Sequence, residues 1–305
     1  MLRFFINRVC VALLVALTVS IIGFSLLRLS GDLASELAGE YATAEEVRKV
    51  AEAYGLDRPL YRQYIDWAGH ALRGDLGESL FTKESVVHML LERMPVTARL
   101  AAFSIAFAIM FAIPLGVLAA VRSGSWQDRL ALSISVFGQA IPNFFFGLIL
   151  IIVFGVKLRW TPISGSETLA HYILPTLTLG MSIMPAFTRL TRSGMLDVLD
   201  SDYIRTARAK GLGVFSIVFK HALRNAVLPI VSLTAVSFGT LLGGSVIVET
   251  VFALHGIGFL AFKSILRADF PVVQSIIVFI SFIYIFLTFV SDIINAQLNP
   301  RIRIV

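Results

Sequence analysis

The sequence predicts an all-α protein that crosses a membrane six times. Of its 305 residues, 57% are hydrophobic and only 15% are charged, whereas an average soluble domain is roughly 45–50% apolar and about 25% charged. A soluble core of this length cannot hide so much apolar surface, so we expect the excess to face lipid or other membrane helices. No apolar stretch shows the alternating pattern of a membrane-spanning strand, which leaves helices as the spanning elements.

Six stretches without a charged side chain mark the predicted spans. A helix needs about 20 residues to cross a hydrocarbon core of roughly 30 Å, and the six stretches are 19 to 27 residues long. They lie at residues 9–27, 100–121, 130–156, 168–188, 225–248 and 270–291. Prolines inside these stretches either make local kinks that neighbouring helices accommodate or mark a bending gate; they are Pro114, Pro142, Pro175 and Pro185.

These spans divide the chain into three predicted regions. Residues 1–29 hold the N-terminus and the first span, 30–97 form an extramembrane region that is helical in parts, and 98–305 form a core of five spans with a basic loop at 197–225. Within the extramembrane region, Thr43 is placed to cap a helix with acids in its first turn, and Gly55 is placed to end it. This region carries no catalytic constellation, and we expect it to act as a lid or docking surface.

The distribution of basic residues predicts the orientation. Thirteen Lys and Arg residues fall on one side of the predicted spans, and four fall in the two short loops of the other side. Because cytoplasmic loops carry the excess of basic residues, both termini are predicted to be cytoplasmic, and residues 30–97 to lie on the outer side of the membrane. The net charge of +6 is explained in the same way, and no nucleic-acid partner is predicted.

Several kinds of chemistry are absent from the sequence. None of the six stretches holds a charged side chain, which argues against proton coupling through the membrane. The chain contains no Gly-Lys dipeptide, so the phosphate-binding loop of ATPases cannot occur. The five histidines are scattered without metal-ligand spacing, and Cys10 is the single cysteine. Energy for active transport would therefore have to come from another chain.

The loop after the fourth stretch has a distinctive composition. Residues 202–213 read D-Y-I-R-T-A-R-A-K-G-L-G, and 214–229 continue V-F-S-I-V-F-K-H-A-L-R-N-A-V-L-P. Asp200, Ser201 or Asp202 can cap a short helix, and Gly211 and Gly213 can end it in a left-handed conformation. An ordinary positive-inside loop would explain the basic charge but not this spacing of alanines and glycines. We therefore predict a short, rigid, basic knob.

This loop resembles the EAA loop of ABC importer permeases, in the variant of the dipeptide, oligopeptide, glutathione and nickel permeases. Other segments are similar to that family in the same order along the chain. They are residues 29–32 (L-S-G-D), 54–60 (Y-G-L-D-R-P-L), 74–79 (G-D-L-G-E-S), 174–179 (L-P-T-L-T-L), 243–252 (G-G-S-V-I-V-E-T-V-F) and 299–303 (N-P-R-I-R, with Asn for the family's Asp). The family's Trp-Pro-Gly-x-Gly segment is absent, since residues 254–258 read L-H-G-I-G.

The resemblance implies the type I permease fold of ABC importers, a location in a bacterial inner membrane with residues 30–97 in the periplasm, and a set of partners. These are a second, similar permease that completes the path, two ATPase subunits that bind ATP and magnesium, and a periplasmic binding protein that delivers the substrate. This chain would bind no cofactor itself and would not be an enzyme. The resemblance assigns ATPase coupling to the knob, with Asp202, Tyr203, Arg205, Thr206, Ala207, Arg208, Ala209, Lys210, Gly211 and Leu212.

The substrate stays open between classes at this point. Peptides are the first expectation, with nickel or another metal chelate, or another small solute, as the alternative. A gated channel or an ion-coupled carrier is the competing class of protein. Polar residues in otherwise apolar stretches either line the path or hold helices together by hydrogen bonds; they are Gln139, Asn143 and Ser237.

Overall fold

The computed structural model describes residues 2–30, 33–39 and 41–298, and helices dominate these ranges. Two π-helical segments, Ile151–Lys157 and Ser216–Ala222, and a 3₁₀ turn, Leu169–Tyr172, interrupt or precede the α-helices. The α-helices are α1 (Leu2–Ser30), α2 (Leu33–Ala38), α3 (Ala44–Ala53), α4 (Leu60–Ala71), α5 (Val86–Val121), α6 (Trp126–Phe137), α7 (Asn143–Leu150), α8 (Ile173–Leu199), α9 (Asp202–Ala209), α10 (Leu223–Ala226), α11 (Leu228–Gly244), α12 (Val246–Val251), α13 (Ile257–Leu266) and α14 (Phe270–Leu298). The tail motif at 299–303 and part of the 29–32 motif lie outside the described residues.

Four helical stretches in the described residues are long and apolar enough to cross a membrane. They are Ile6–Ser25, Val86–Val121, Leu169–Leu199 and Phe270–Ile294. A fifth crossing is available if Ser216–Ala226 and Leu228–Gly244, which meet at a bend of 50°, form one broken span. Five of the six predicted stretches thus coincide with such helices.

The count of six spans is not confirmed. The predicted third stretch, residues 130–156, is divided between α6, α7 and the π-helical segment Ile151–Lys157. Residues 138–142 separate α6 from α7, and Pro142 precedes the first residue of α7. Proline has no N–H and disfavours helical geometry in the residue before it. Neither piece is long enough to span alone. By contrast, Pro185 lies inside a continuous α8.

The chain forms two compact units, described here one at a time. The first unit contains residues 1–95 and 256–285, and the second contains 96–255 and 286–305. The division into 1–29, 30–97 and 98–305 that the sequence predicts stays a prediction.

In the first unit, the capped helix predicted at Thr43 is present. Thr43 accepts a hydrogen bond from the N–H of Glu46, and the Glu46 carboxylate accepts one from the N–H of Thr43 at 2.7 Å. The bond from the Thr43 backbone lowers the pKa of the Glu46 carboxyl. Tyr54 follows α3, and Gly55 is left-handed at φ 66°. Local sequence therefore determines this helix.

Asp269 fastens the loop between α4 and α5. Its carboxylate accepts hydrogen bonds from the Ser79 hydroxyl at 2.6 Å and from the Leu80 N–H at 3.2 Å. Both Ser79 and Asp269 are buried. The Asp75 carboxylate, within the same loop, accepts from the N–H of Gly77. The polar residues of the 74–79 motif thus fix the shape of this loop.

In the second unit, several helices approach α8 as closely as glycine allows. A Cβ on Gly116 of α5 would lie 2.6 Å from the Thr191 Cβ and 2.8 Å from the Thr188 carbonyl oxygen. A Cβ on Gly194 would lie 2.8 Å from the carbonyl oxygen of Ala226 in α10. Gly138, which follows α6, meets Met181 in the same way. Small residues at helix contacts are typical of membrane bundles, where backbones pack closely.

Two buried carboxylates of the second unit accept hydrogen bonds from polar side chains of neighbouring segments. Glu249 of α12 is fully buried and accepts hydrogen bonds from the hydroxyls of Thr97 at 2.8 Å and Ser245 at 2.7 Å. Asp128 of α6 pairs with Arg192 of α8 through two hydrogen bonds of 2.9 and 2.8 Å. These bonds satisfy carboxylates that would otherwise be costly to bury.

The Asp128 pair also closes the turn between α5 and α6. Asp128 accepts from the N–H of Gly124 at 3.0 Å, and its side chain is 6% exposed beside an Arg192 side chain that is 27% exposed. The hydrogen bonds from Arg192 hold the pKa of the Asp128 carboxyl below its usual range. The turn is therefore anchored to α8 by a bidentate ion pair.

A methyl group at Gly116 should destabilise the bundle. Gly116→Ala places a Cβ against Thr191 and the α8 backbone, and overpacking of this kind costs about 1–3 kcal/mol. Gly69→Ala is the control, because nothing lies within 4 Å of its Cβ position in α4 and alanine favours helix by about 0.5–1 kcal/mol. Denaturation of the purified chain in detergent measures both. Equal stability of the two variants would contradict the close approach.

Removing one partner of the buried ion pair should cost more than removing both. Asp128→Ala leaves Arg192 without its carboxylate and should lower the free energy of unfolding by about 3–5 kcal/mol. Combining it with Arg192→Met should recover most of the loss. Asp200→Ala, at an exposed position, should stay within about 0.5 kcal/mol.

The ion pair should also make stability depend on pH. Because the folded pKa of Asp128 is depressed, its contribution is complete above the unfolded pKa of about 3.9 and is lost as pH falls through the lower folded value. The double variant should lose that acid dependence. An additive effect of the two substitutions would mean that the groups do not interact.

Candidate coupling surface

Helix α9, which carries the predicted knob, begins immediately after α8. α8 ends at Leu199, and Ser201 occupies the position before α9. The Ser201 hydroxyl donates to the carbonyl of Val198 at 2.5 Å and does not cap α9. Asp202 stands in the first turn of α9, where a negative charge complements the positive end of a helix, and pairs with Arg205 at 3.4 Å. The expected location of the helix is confirmed. Of the three residues predicted as possible caps, Asp200, Ser201 and Asp202, it is Ser201 that occupies the cap position, and its side chain forms no capping hydrogen bond.

The end of α9 is set by Gly211. Its φ is +76°, its N–H donates to the carbonyl of Arg208 at 2.9 Å, and the N–H of Leu212 donates to the carbonyl of Ala207 at 3.3 Å. These two bonds form a Schellman motif, which favours glycine because a side chain is strained in the left-handed conformation. The left-handed conformation predicted for Gly211 is confirmed, whereas Gly213 is not among the left-handed residues.

One face of α9 packs against the chain's own core. Ile204 is fully buried and Ala207 is 8% exposed. They belong to an apolar cluster, here called the knob cluster, made of Val117, Ala120, Met195, Ile204, Ala207, Ile217, Val218, Ala222 and Ala226. The small side chain of Ala207 therefore serves packing within the chain rather than direct approach by a partner. Ala209, the other alanine of the predicted knob, is exposed.

The opposite face of α9 and the residues that follow it form a continuous exposed surface. We call it the coupling surface, and it combines the exposed knob residues with an apolar rim. The exposed knob residues are Asp202, Tyr203, Arg205, Thr206, Arg208, Ala209, Lys210, Gly211 and Leu212. The rim adds Val214, Phe215 and Phe219, which the sequence analysis did not single out.

The apolar rim is pronounced at Phe215. Its side chain is 76% exposed, and its ring lies 4.6 Å from that of Phe219. Large exposed aromatic side chains beside basic ones are typical of protein interaction surfaces. The signal that could have found them was present in the sequence, since V-F-S-I-V-F adjoins the basic knob outside the charge-free stretches.

Hydrogen bonds and packing join the knob to the helix that leads into α11. The Asn225 side-chain amide donates to the Tyr203 hydroxyl at 2.8 Å. The knob cluster adds apolar contacts from Ile217, Ala222 and Ala226. The helical stretch Ser216–Ala226 then meets Leu228–Gly244 at 50°. Both polar and apolar contacts therefore connect α9 to the helical stretch that leads into α11.

The three predicted path residues are placed in different environments. Gln139 is exposed in the break between α6 and α7, Asn143 is half-buried at the start of α7, and Ser237 is buried in α11. Among the described residues they share no hydrogen bond with one another. Their assignment to the path stays a prediction. No group of three or more His, Cys, Asp or Glu residues in the described ranges is arranged to hold a metal ion.

Comparison with known proteins places these features in a family context. The family described as "Binding-protein-dependent transport system inner membrane component" matches residues 112–304, and its companion N-terminal family matches residues 1–101. The chain is 40% identical over 304 residues to the glutathione transport system permease protein GsiC of Escherichia coli (strain K12), with 99% of each chain covered. GsiC of Shigella boydii serotype 4 (strain Sb227) is 39% identical over the same length.

A solved structure shares the fold at lower identity. The chain matches a structure of the MetNI methionine ABC transporter in inward facing conformations, with a TM-score of 0.59 and 22% identity. The match covers 69% of this chain and 96% of that chain. The predicted type I permease fold is confirmed.

Proposed function

The chain belongs to the family of binding-protein-dependent transport system inner membrane components, and on that premise we propose that it is the permease subunit of an ATP-driven importer of small peptides or peptide-like solutes. It is a multi-pass inner membrane protein of the ABC importer permease class. With a second permease it would enclose the path for a substrate delivered by a periplasmic binding protein. The names of its GsiC relatives, which refer to glutathione transport, support a peptide-like substrate.

We further propose that the coupling surface docks into an ATPase subunit. The observation that carries this proposal is the combination of a buried anchor with an exposed rim: Ile204 packs into the chain, while the basic residues and Phe215 face outward. Exposed guanidinium and ammonium groups can pair with acids of the ATPase, and the apolar rim can be buried on docking. Two ATPase subunits would bind ATP and magnesium, since this chain has no phosphate-binding loop.

The anchor explains how ATPase closure would reach the membrane helices. A partner that moves α9 would also move the knob cluster, which groups Ile204 and Ala207 of α9 with Val117 of α5 and Met195 of α8. The Tyr203–Asn225 bond adds a second connection toward α11. A switch between inward and outward access requires the partner to favour one arrangement by several kcal/mol. A rigid knob would pass the partner's movement to the membrane helices without being deformed itself.

The proposed docking requires the coupling surface to lie on the cytoplasmic side of the membrane. Thirteen basic residues against four support cytoplasmic termini and a cytoplasmic coupling surface. Residues 30–97 would then face the periplasm, where the binding protein arrives. The alternative within this function is import of nickel, another metal chelate or another small solute by the same machinery.

The substrate proposal can be tested in reconstituted vesicles. The chain, purified with its second permease and two ATPase subunits, should accumulate radiolabelled glutathione or dipeptide when its binding protein and ATP are supplied. Excess unlabelled peptide should compete, and nickel should not. Accumulation of nickel or another solute without competition by glutathione or peptides would contradict the peptide assignment while leaving the importer class intact.

The coupling proposal is tested by matched glycine substitutions. Gly211→Val forces a side chain into the left-handed conformation at a cost of about 1–2 kcal/mol, so ATPase co-purification and uptake should fall by about 5–30-fold. Gly213→Val adds the same side chain two residues away, where nothing lies within 4 Å and φ is ordinary, and should stay within about twofold.

Insertion and elution of the purified variants distinguish a loss of ATPase docking from a loss of folding. Both variants should insert and elute as the parent chain does, because neither glycine belongs to the knob cluster and nothing lies within 4 Å of a Cβ at either site. Normal ATPase binding and uptake in Gly211→Val would remove α9 from the coupling role. Equal impairment of both variants would show that added bulk, and not the backbone geometry of Gly211, weakens docking.

A further inference from the structure

A cavity of about 420 Å³ lies within the first unit, remote in sequence from the coupling surface. All of its lining residues belong to 1–95 and 256–285. They come from the end of α1, from α2, from α4 and the loops on either side of it, and from the first five residues of α14. Pockets for small molecules typically measure about 300–1,000 Å³, so this one is large enough for a ligand. We call it the Arg28 cavity.

Arg28 brings an unsatisfied positive charge to this cavity. Its Nη1 atom is buried and has no hydrogen-bond acceptor among the described residues. The guanidinium carbon lies 5.2 Å from the centre of the Phe24 ring, which is a favourable contact but supplies no acceptor. Burial lowers the pKa of this guanidinium. A buried charged donor without an acceptor is costly, so a persistent one indicates a missing partner.

Gln274 supplies a second donor of the same kind. It is 4% exposed, its Nε2 atom is buried, and no acceptor is present among the residues that the structure describes. It lines the same cavity as Arg28. The two residues come from helices that begin and end far apart in the sequence, α1 and α14. Two independent buried donors at one cavity suit a ligand that accepts hydrogen bonds, and the guanidinium favours one that carries negative charge.

The rest of the lining combines charged or polar side chains, His70, Asp75, Glu78, Ser79 and Lys83, with a larger apolar surface. Leu56, Trp67, Leu76 and Phe270 are among the side chains that line the cavity. An inorganic anion alone would leave this apolar surface uncovered. A molecule with an apolar body and one oxyanion would satisfy the donors and bury the wall together.

We propose that the Arg28 cavity binds a small amphiphilic oxyanion, with its carboxylate or phosphate accepting hydrogen bonds from Arg28 and Gln274 and its apolar part against Trp67. Two sources supply this chemistry. Arg28 lies three residues beyond the apolar stretch Ile6–Ser25, so a phospholipid headgroup at the membrane surface and a dissolved carboxylate both reach that level. The proposal does not rest on the transport function, because it concerns binding by this chain alone.

Trp67 provides a direct reporter of occupancy. Trp126 and Trp160 are 68% and 70% exposed, and replacing both with Phe leaves Trp67 as the single tryptophan. The full chain in maltoside micelles is titrated with N-acetylleucine, and with N-acetylleucinamide as the matched ligand without a carboxylate. A parallel titration uses dihexanoylphosphatidylglycerol, with dihexanoylglycerol as its phosphate-free match. We expect saturable fluorescence changes with one or both oxyanions and none with their neutral matches.

The donors are tested with variants that keep side-chain volume. Arg28→Met and Gln274→Leu should each weaken the oxyanion response by at least about tenfold, because each removes a hydrogen bond to a charged group. Arg73→Met, at an exposed position outside the cavity lining, should leave it unchanged. Without ligand, Gln274→Leu should melt at the same temperature as the parent or higher, since it removes an unsatisfied buried amide.

Each result decides the proposal. A response to N-acetylleucine that requires both donors identifies a site for dissolved carboxylates, and one confined to the phosphatidylglycerol probe identifies a lipid site. The absence of a saturable response to either oxyanion would overturn the proposal, as would a response that survives both Arg28→Met and Gln274→Leu. Failure here would leave ATPase coupling and substrate import untouched, because neither is measured.

Discussion

The close approach of neighbouring helices to α8 is the constraint on which the second unit depends. In a membrane, the apolar surfaces of helices gain little from leaving lipid, so packing contacts between backbones must hold them together. Gly116 of α5 lies against α8, and Gly194 of α8 lies against Ala226 of α10. Both contacts are too close to leave room for a Cβ atom on the glycine. Because α10 lies against Gly194 and the knob cluster includes Met195 and Ala226, the position of α9 is set by the same packing. The candidate coupling surface is thus a consequence of how tightly α8 is surrounded.

Rigidity of the knob follows from three features of different kinds. Ile204 and Ala207 anchor one face of α9 in the knob cluster, the Schellman motif at Gly211 fixes its end, and Asn225 holds Tyr203. A knob fixed in this way moves only with the helices that hold it. That property is required of any element that passes an ATPase's closure to membrane helices. The exposed charges of α9 contribute little to stability, since exposed ion pairs are worth about 0–1 kcal/mol.

Three buried carboxylates hold parts of the chain together through hydrogen bonds, although the sequence alone shows them only as charged residues. Asp128 anchors a turn to α8, Glu249 accepts from Thr97 and Ser245, and Asp269 fixes Ser79 and Leu80. Each is buried, and each is satisfied by donors far from it in the sequence or at a turn. The polar residues of the motifs at 74–79 and 243–252 therefore serve folding of the chain. Arg28 and Gln274 stand apart because their buried donors lack such partners, and this contrast makes their cavity a candidate site.

The sequence by itself determined the features that depend on local chemistry. Charge-free length predicted six helical crossings, of which four appear as long apolar helices and a fifth as a bent pair, the capping box at Thr43 predicted α3, and the glycine after the basic knob predicted the left-handed residue at Gly211. These signals need no knowledge of neighbours, because apolar length, side-chain caps and positive φ act within a few residues. Tertiary structure decided what depends on partners: the break before Pro142, the inward face of Ala207, and the pairing of Asp128 with Arg192. The sequence specifies the residue types at these positions but not which helix packs against each of them. Burial and ion pairing depend on that packing, so they could not be predicted from the residue types alone.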